Sequence, residues 1–209
     1  MATKKGVGWH LKESEAPHRG KGSATVEPIR KKSDIEAIKA NLSKTPRDYA
    51  MFTLGINAGL RGGDLIGLKY KDILTPQGRI KSALEVLEQK TGNKRRIAIG
   101  SNARSSLQAL ISDPEQIDFD AFIFPSRKGG EMSIQRLHQL VNEWTKEAKI
   151  KGHFGSHTLR KTYGYFHYKR GVDITRLMQI FGHSSQAITL RYIGIEQDDI
   201  DEANLRLNL

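Results

Sequence analysis

The segment SHTLRKTYGY, residues 156–165, sets His157 and Arg160 three positions apart with Lys161 beside them. On a helix, positions i and i+3 lie on one face. Leu159, Tyr163 and Phe166 form an apolar stripe roughly a third of a turn away, at about 100° per residue. The spacing predicts an imidazole and a guanidinium presented together beside the buried face. An imidazole exchanges a proton near neutral pH. A guanidinium grips two oxygens of one anion at once. Together they suit chemistry on a bound anion.

Four further stretches carry reactive or cationic side chains. AGLRGGDLIGL puts Arg61 just after a glycine turn, and EQKTGNKRR puts Lys90 at the lip of a hairpin, ahead of Lys94 and Arg95. FGHSS sets His183 beside a glycine that ends a helix, and ITLRYIG carries Tyr192 nine residues later. Each alone has an ordinary reading. Arg61 would be a solvated surface arginine, Lys90 a turn lysine and Tyr192 a core-edge aromatic. His157 would be a helix cap, and His183 a cation favoured by a helix C-terminus. The order of all five stretches is what carries information.

Charge points to a polyanionic partner. The formal net charge is +11, unevenly spread. Residues 1–32 hold eight Lys/Arg against three Asp/Glu, and residues 151–191 hold seven against one. Residues 192–209 reverse the sign, with five acids against Arg206. No stretch approaches the roughly 18 apolar residues of a membrane span, and the first twenty lack the apolar core of a signal peptide. The absence of cysteine excludes disulfides and thiolate chemistry and suits a cytoplasmic setting. No cluster of Asp/Glu, nor of His and Cys, has metal-ligand spacing, so no metal is expected. KTGNK lacks the remaining glycine and Ser/Thr of a nucleotide-binding phosphate loop, so no nucleotide cofactor is expected either.

The elements that must position these residues are legible in outline. The first 25 residues, rich in Gly, Lys and Ser, read as a flexible basic arm. Ser33 and Glu36 match a capping box ahead of Ile35, Ile38 and Leu42. Pro46 opens a second helix, which Gly59 ends. Residues 79–100 predict two extended stretches around a turn at KTGN. A helix near 102–112, a short strand AFIFP, the turn RKGGE and a long helix capped by Ser133 follow. Helices near 158–170, 173–181 and 185–193 complete the chain before an acidic tail at 196–209. The fold class expected is α+β: one mainly helical domain, residues 26–195, with a small antiparallel sheet.

The order and local wording resemble the tyrosine recombinase family, the phage-integrase-type site-specific DNA recombinases. AGLRGGDL, the hairpin lysine, HTLR, GHSS and RYIG match that family's motifs, and the likeness covers about residues 28–195. It carries over Arg61, Lys90, His157, Arg160, His183 and Tyr192 as catalytic residues. It implies attack by Tyr192 on a phosphodiester, giving a 3′-phosphotyrosyl intermediate and a free 5′-hydroxyl. In that scheme Arg61 and Arg160 hold the phosphate oxygens, and Lys90 protonates the leaving oxygen. His157 accepts the tyrosine proton or bonds the phosphate, and His183 donates to a phosphate oxygen, with their division of labour open. Double-stranded DNA is the implied partner, met also by Lys94, Arg95 and Lys161, with self-association into a tetrameric synapse. Asp64 stands where the family usually has glutamate. The helical clamp domain that usually precedes the catalytic domain is also missing, so a catalytic domain alone is expected. A type IB topoisomerase-like enzyme and a non-catalytic DNA-binding accessory protein are the competing readings. The tail could dock on its own domain or on a neighbouring protomer.

Overall fold

Turn chemistry and helix caps divide the chain into short elements. The computed structural model describes residues 25–88, 92, 94–111, 117–195 and 205. In order these give α1 (Lys32–Leu42), α2 (Pro46–Ala58), α3 (Gly62–Ile66), α4 (Tyr70–Ile73), β1 (Ala83–Leu87) and β2 (Lys94–Ala98). Then follow α5 (Ser101–Leu110), α6 (Ile134–Glu147), α7 (Thr158–Lys169), α8 (Ile174–Phe181) and α9 (Gln186–Ile193). The fold is α+β and mainly helical. Its two-stranded antiparallel sheet pairs β1 with β2. No described helix is long and apolar enough to cross a membrane. The basic arm, apart from Thr25, lies outside the described residues, as does the acidic tail apart from Leu205.

Several ends follow the expected local rules. Pro46 opens α2, where a missing N–H costs nothing, and Gly59 closes it at φ +58°. Ser133 and Ser185 accept the N–H groups of Arg136 and Ile188 at the starts of α6 and α9. Gly182 and Gly194 end α8 and α9 in the left-handed conformation.

Two expectations fail for reasons of long-range structure. Ser33 is not a cap: α1 begins a residue earlier, with extended Lys31 before it and no side-chain capping bond. The preceding strap, residues 25–31, is pinned elsewhere. The Ile29 N–H donates to Thr162 Oγ1 at 2.8 Å, and Thr158 Oγ1 donates to the Glu27 carbonyl at 2.8 Å. That tether fixes where the chain turns into the helix. AFIFP is not a strand of the sheet. Phe122 makes one isolated bridge to Lys69, after which Pro125 offers no N–H and α4 has already begun at Tyr70.

The described residues bury two apolar clusters of unequal size. The larger takes Ile38 from α1, Phe52 and Leu54 from α2, Leu84 and Ile97 from the sheet, Leu107 from α5 and Trp144 from α6. The smaller contains Leu177, Phe181 and Ile193, with Tyr163, Tyr168 and Tyr192 packed against it. α7 lies between them, and Gly164 is what lets α8 and α9 approach it. A Cβ on Gly164 would stand 2.6 Å from both Ile193 Cγ2 and Phe181 Cζ. Gly164→Ala gains about 1 kcal/mol of helix propensity but overpacks two buried side chains at a typical cost of 1–3 kcal/mol. Overpacking should win, and the urea midpoint is expected to fall. Gly130→Ala, where nothing lies within 4 Å, should stay within about 0.5 kcal/mol of the parent chain.

Candidate active site

Arg160, in the first turn of α7, is 3% exposed. A guanidinium so deep must be compensated, since desolvating an ion costs several kcal/mol. Compensation comes from helix ends. Nη1 donates to the carbonyl of Gly59, the C-cap of α2, and Nη2 lies 3.3 Å from the Ile180 carbonyl and 3.5 Å from that of Phe181, the last two residues of α8. Two helix C-termini, each carrying partial negative charge, converge on one cation. Its carbon also sits 4.8 Å from the centre of the Phe181 ring. Burial lowers the Arg160 pKa, the neighbouring Arg61 and Arg95 lower it further, and Tyr192 and Glu88 oppose them.

Arg61 reaches the same cluster from the turn before α3. Its Nη1 lies 2.6 Å from Glu88 Oε2, close enough for an ion pair but without the angle of an aligned hydrogen bond. Arg95 points inward from β2, with Nη1 3.4 Å from the Gly59 carbonyl and 3.8 Å from Glu88 Oε1. Burial lowers its pKa, Arg61 adds to that, and Tyr163, Glu88 and Asp64 oppose it. Strand alternation explains the sorting. Arg95 and Ile97 face in, whereas Lys94 and Arg96 are exposed. So Arg95, expected as a DNA contact like Lys94, stands in the cluster as a third guanidinium.

Tyr192 lies on α9 among these groups. Its ring centre is 5.0 Å from that of His183, 5.2 Å from that of Phe181 and 5.2 Å from Lys161 Nζ. Burial raises the phenol's pKa. Arg160 opposes the rise by charge and by hydrogen bonding, and Arg61 by charge. His183 follows the Gly182 cap, and its Nδ1 is 3.0 Å from the buried Thr189 hydroxyl, one turn before Tyr192. Lys161 is 4% exposed, tucked beneath Tyr192, with its pKa lowered by burial against the pull of Glu27. Lys161, expected among the DNA contacts, thus lies between Tyr192 and the strap residue Glu27.

His157 sits apart in depth. It is the exposed N-cap of α7, with helical backbone angles and a carbonyl that accepts the Lys161 N–H, three residues before buried Arg160. Lys90 lies outside the described residues; the strands on either side of it pair as expected, and the Gly92 N–H closes the turn on the Glu88 carbonyl at 2.8 Å. Glu88 itself was missed. The alternation Leu84, Val86, Glu88 continues the inward face of β1 into a carboxylate, and that was the signal. Among the described residues no group of three His, Cys, Asp or Glu could hold a metal ion.

The sequence profile of the phage integrase family matches residues 30–198. The chain belongs to that family. A probable integrase/recombinase, YoeC, from Bacillus subtilis strain 168 is 35% identical over 175 residues, which span 83% of this chain and 92% of the relative. The tyrosine recombinase XerC of Caldanaerobacter subterraneus subsp. tengcongensis is 29% identical, over 75% of this chain but 44% of its own length. The chain thus spans about half of the XerC relatives it matches. Among solved structures, XerA recombinase superposes with a TM-score of 0.70 at 21% identity, covering 91% of this chain and 67% of XerA. A lambda integrase tetramer bound to a Holliday junction gives 0.62 at 19%, covering 87% and 53%. These two likenesses establish the recombinase catalytic-domain fold.

In this integrase-family chain two histidines are held neutral. Burial depresses His183 below the ordinary 6.5, with Arg160 and Arg61 adding to it, and burial depresses His167, with Arg170 adding. An unfolded chain then binds protons that the folded chain refuses. This contribution to stability is complete above 6.5 and is lost as pH falls through 6.5 toward the lower folded values. The urea midpoint should drop on acidification across that window, and the drop should shrink in a His167→Gln/His183→Gln double variant.

Proposed function

We propose that residues 26–195 act as the catalytic domain of a tyrosine recombinase, which cuts and rejoins DNA through a 3′-phosphotyrosyl intermediate. One observation carries the reading: the half-buried ring of Tyr192 lies 5.0 Å from that of His183 and 5.2 Å from Lys161 Nζ, within the field of Arg160 and Arg61. Arg61 Nη1 is buried with no aligned acceptor among the described residues. A phosphate oxygen would supply one.

The Tyr192 oxygen attacks the scissile phosphorus, and the bond from phosphorus to the 5′ oxygen breaks. Charge building on the non-bridging oxygens meets Arg61 and Arg160 in a partly dehydrated site, where preorganised donors act most strongly. With its pKa raised by burial, Tyr192 is protonated at neutral pH and must lose that proton during attack. Neutral His183, in edge contact with the ring, takes it. Lys90, by family resemblance, protonates the leaving 5′ oxygen. Rejoining reverses these steps, and the phosphotyrosine linkage stores the energy that it needs.

Double-stranded DNA in the cytoplasm is the proposed partner, with Lys94 on the exposed face of the hairpin among the phosphate contacts. Self-association on DNA belongs to the same proposal. It is supported by the solved lambda integrase, a tetramer on a Holliday junction. Incubation with a nicked suicide duplex should give a covalent protein–DNA adduct. Tyr192→Phe should abolish the adduct and leave duplex affinity within about threefold, an energetic change under 0.7 kcal/mol. Adduct from Tyr192→Phe would refute the assignment. Wild-type binding without any adduct would favour the accessory-protein reading.

A further inference from the structure

We propose that Glu88 is a positioning residue that holds Arg61 and ties it to the turn that Gly92 closes; this rests on the recombinase reading above. A carboxylate in a phosphate-binding site is unexpected, because it competes for the same guanidiniums. Glu88 is nevertheless 7% exposed and lies 2.6 Å from Arg61 and 3.8 Å from Arg95. It ends the inward face of β1 begun by Leu84 and Val86, while Leu87 beside it is 63% exposed.

Charge explains its use. Arg61, Arg95 and Arg160 act on one another as like charges. Without an anion they would repel each other, and an unanchored Arg61 would swing toward solvent. One carboxylate among three guanidiniums relieves that repulsion and still leaves a net positive site for phosphate. The contact to Arg61 is close but off the hydrogen-bond angle, so Glu88 offsets charge while leaving N–H directions open. That is preorganisation, which acts before substrate arrives.

Glu88 also has a second connection. Its carbonyl accepts the Gly92 N–H at 2.8 Å, closing the turn between β1 and β2. One residue thus ties the turn closed by Gly92 to Arg61. A shift of the turn would move Arg61 with it, and misplacement of about 1 Å costs on the order of a hundredfold in rate.

Glu88→Gln keeps the shape and the backbone bond but removes the charge. Single-turnover adduct formation on the suicide duplex should fall between about tenfold and a hundredfold, with duplex affinity unchanged or tighter. In an Arg61→Ala background the same substitution should change the rate less than threefold, because Glu88 acts through Arg61. An unchanged rate, or an equal loss in both backgrounds, overturns the proposal. A second measurement does not depend on cleavage. In ¹⁵N-arginine spectra of the free protein, the Arg61 guanidinium should rotate slowly, and in Glu88→Gln freely. If the wild-type chain forms no adduct, the recombinase reading fails, while these spectra still decide whether Glu88 holds Arg61. If Glu88→Gln does not fold, the wild-type spectrum decides alone: a slow guanidinium supports the proposal and a freely rotating one overturns it.

Discussion

The site depends on one buried cation held by backbone. Arg160 is fixed by the carbonyl of Gly59 and those of Ile180 and Phe181, which belong to the C-terminal ends of two different helices. Hydrogen bonds to a charged group contribute about 1.5–3 kcal/mol each, enough together to offset the several kcal/mol of burying the charge. A carboxylate partner would have done this more strongly and cancelled the charge that a phosphate needs. Backbone carbonyls hold the guanidinium in place and leave it cationic. Gly59 is central here, because its left-handed turn ends α2 and its carbonyl also receives Arg95.

Arg160 thereby joins two bodies of unequal firmness. Arg61, Arg95 and Glu88 stand on elements packed into the large core, whereas His183 and Tyr192 ride on α8 and α9 over a cluster of three fully buried side chains. Local opening follows buried apolar contact, so the half bearing the nucleophile is the softer one. The strap steadies it from outside: Arg30 Nη2 donates to the Gly194 carbonyl at 2.8 Å, two residues past Tyr192. Because Arg160 also bonds the end of α8, movement of the half bearing the nucleophile is coupled to the buried guanidinium.

Legibility in the sequence followed the range of the interactions. Pro46, Gly59, Ser133 and Gly182 act on their own turns, and each marked a real helix end. The order of Arg61, HTLR, GHSS and RYIG was enough to recognise the family, because local wording survives where overall identity is low. Ser33 misled because the strap, pinned to Thr158 and Thr162 over a hundred residues away, sets the start of α1. Glu88 was legible in principle through alternation, but a charge at a strand end reads as solvated until its partners are in view.

The account's central claim is that one phosphate is addressed from Arg61 and Arg160 while Tyr192 attacks it. The most direct measurement is to trap the adduct on a suicide duplex, digest protein and DNA, and identify the modified peptide and the linkage by mass spectrometry. A nucleotide joined through its 3′-phosphate to the peptide beginning at Tyr192, directly after the tryptic site Arg191, is the predicted result. A 5′-phosphate linkage, or the modification on any other residue, would contradict the account.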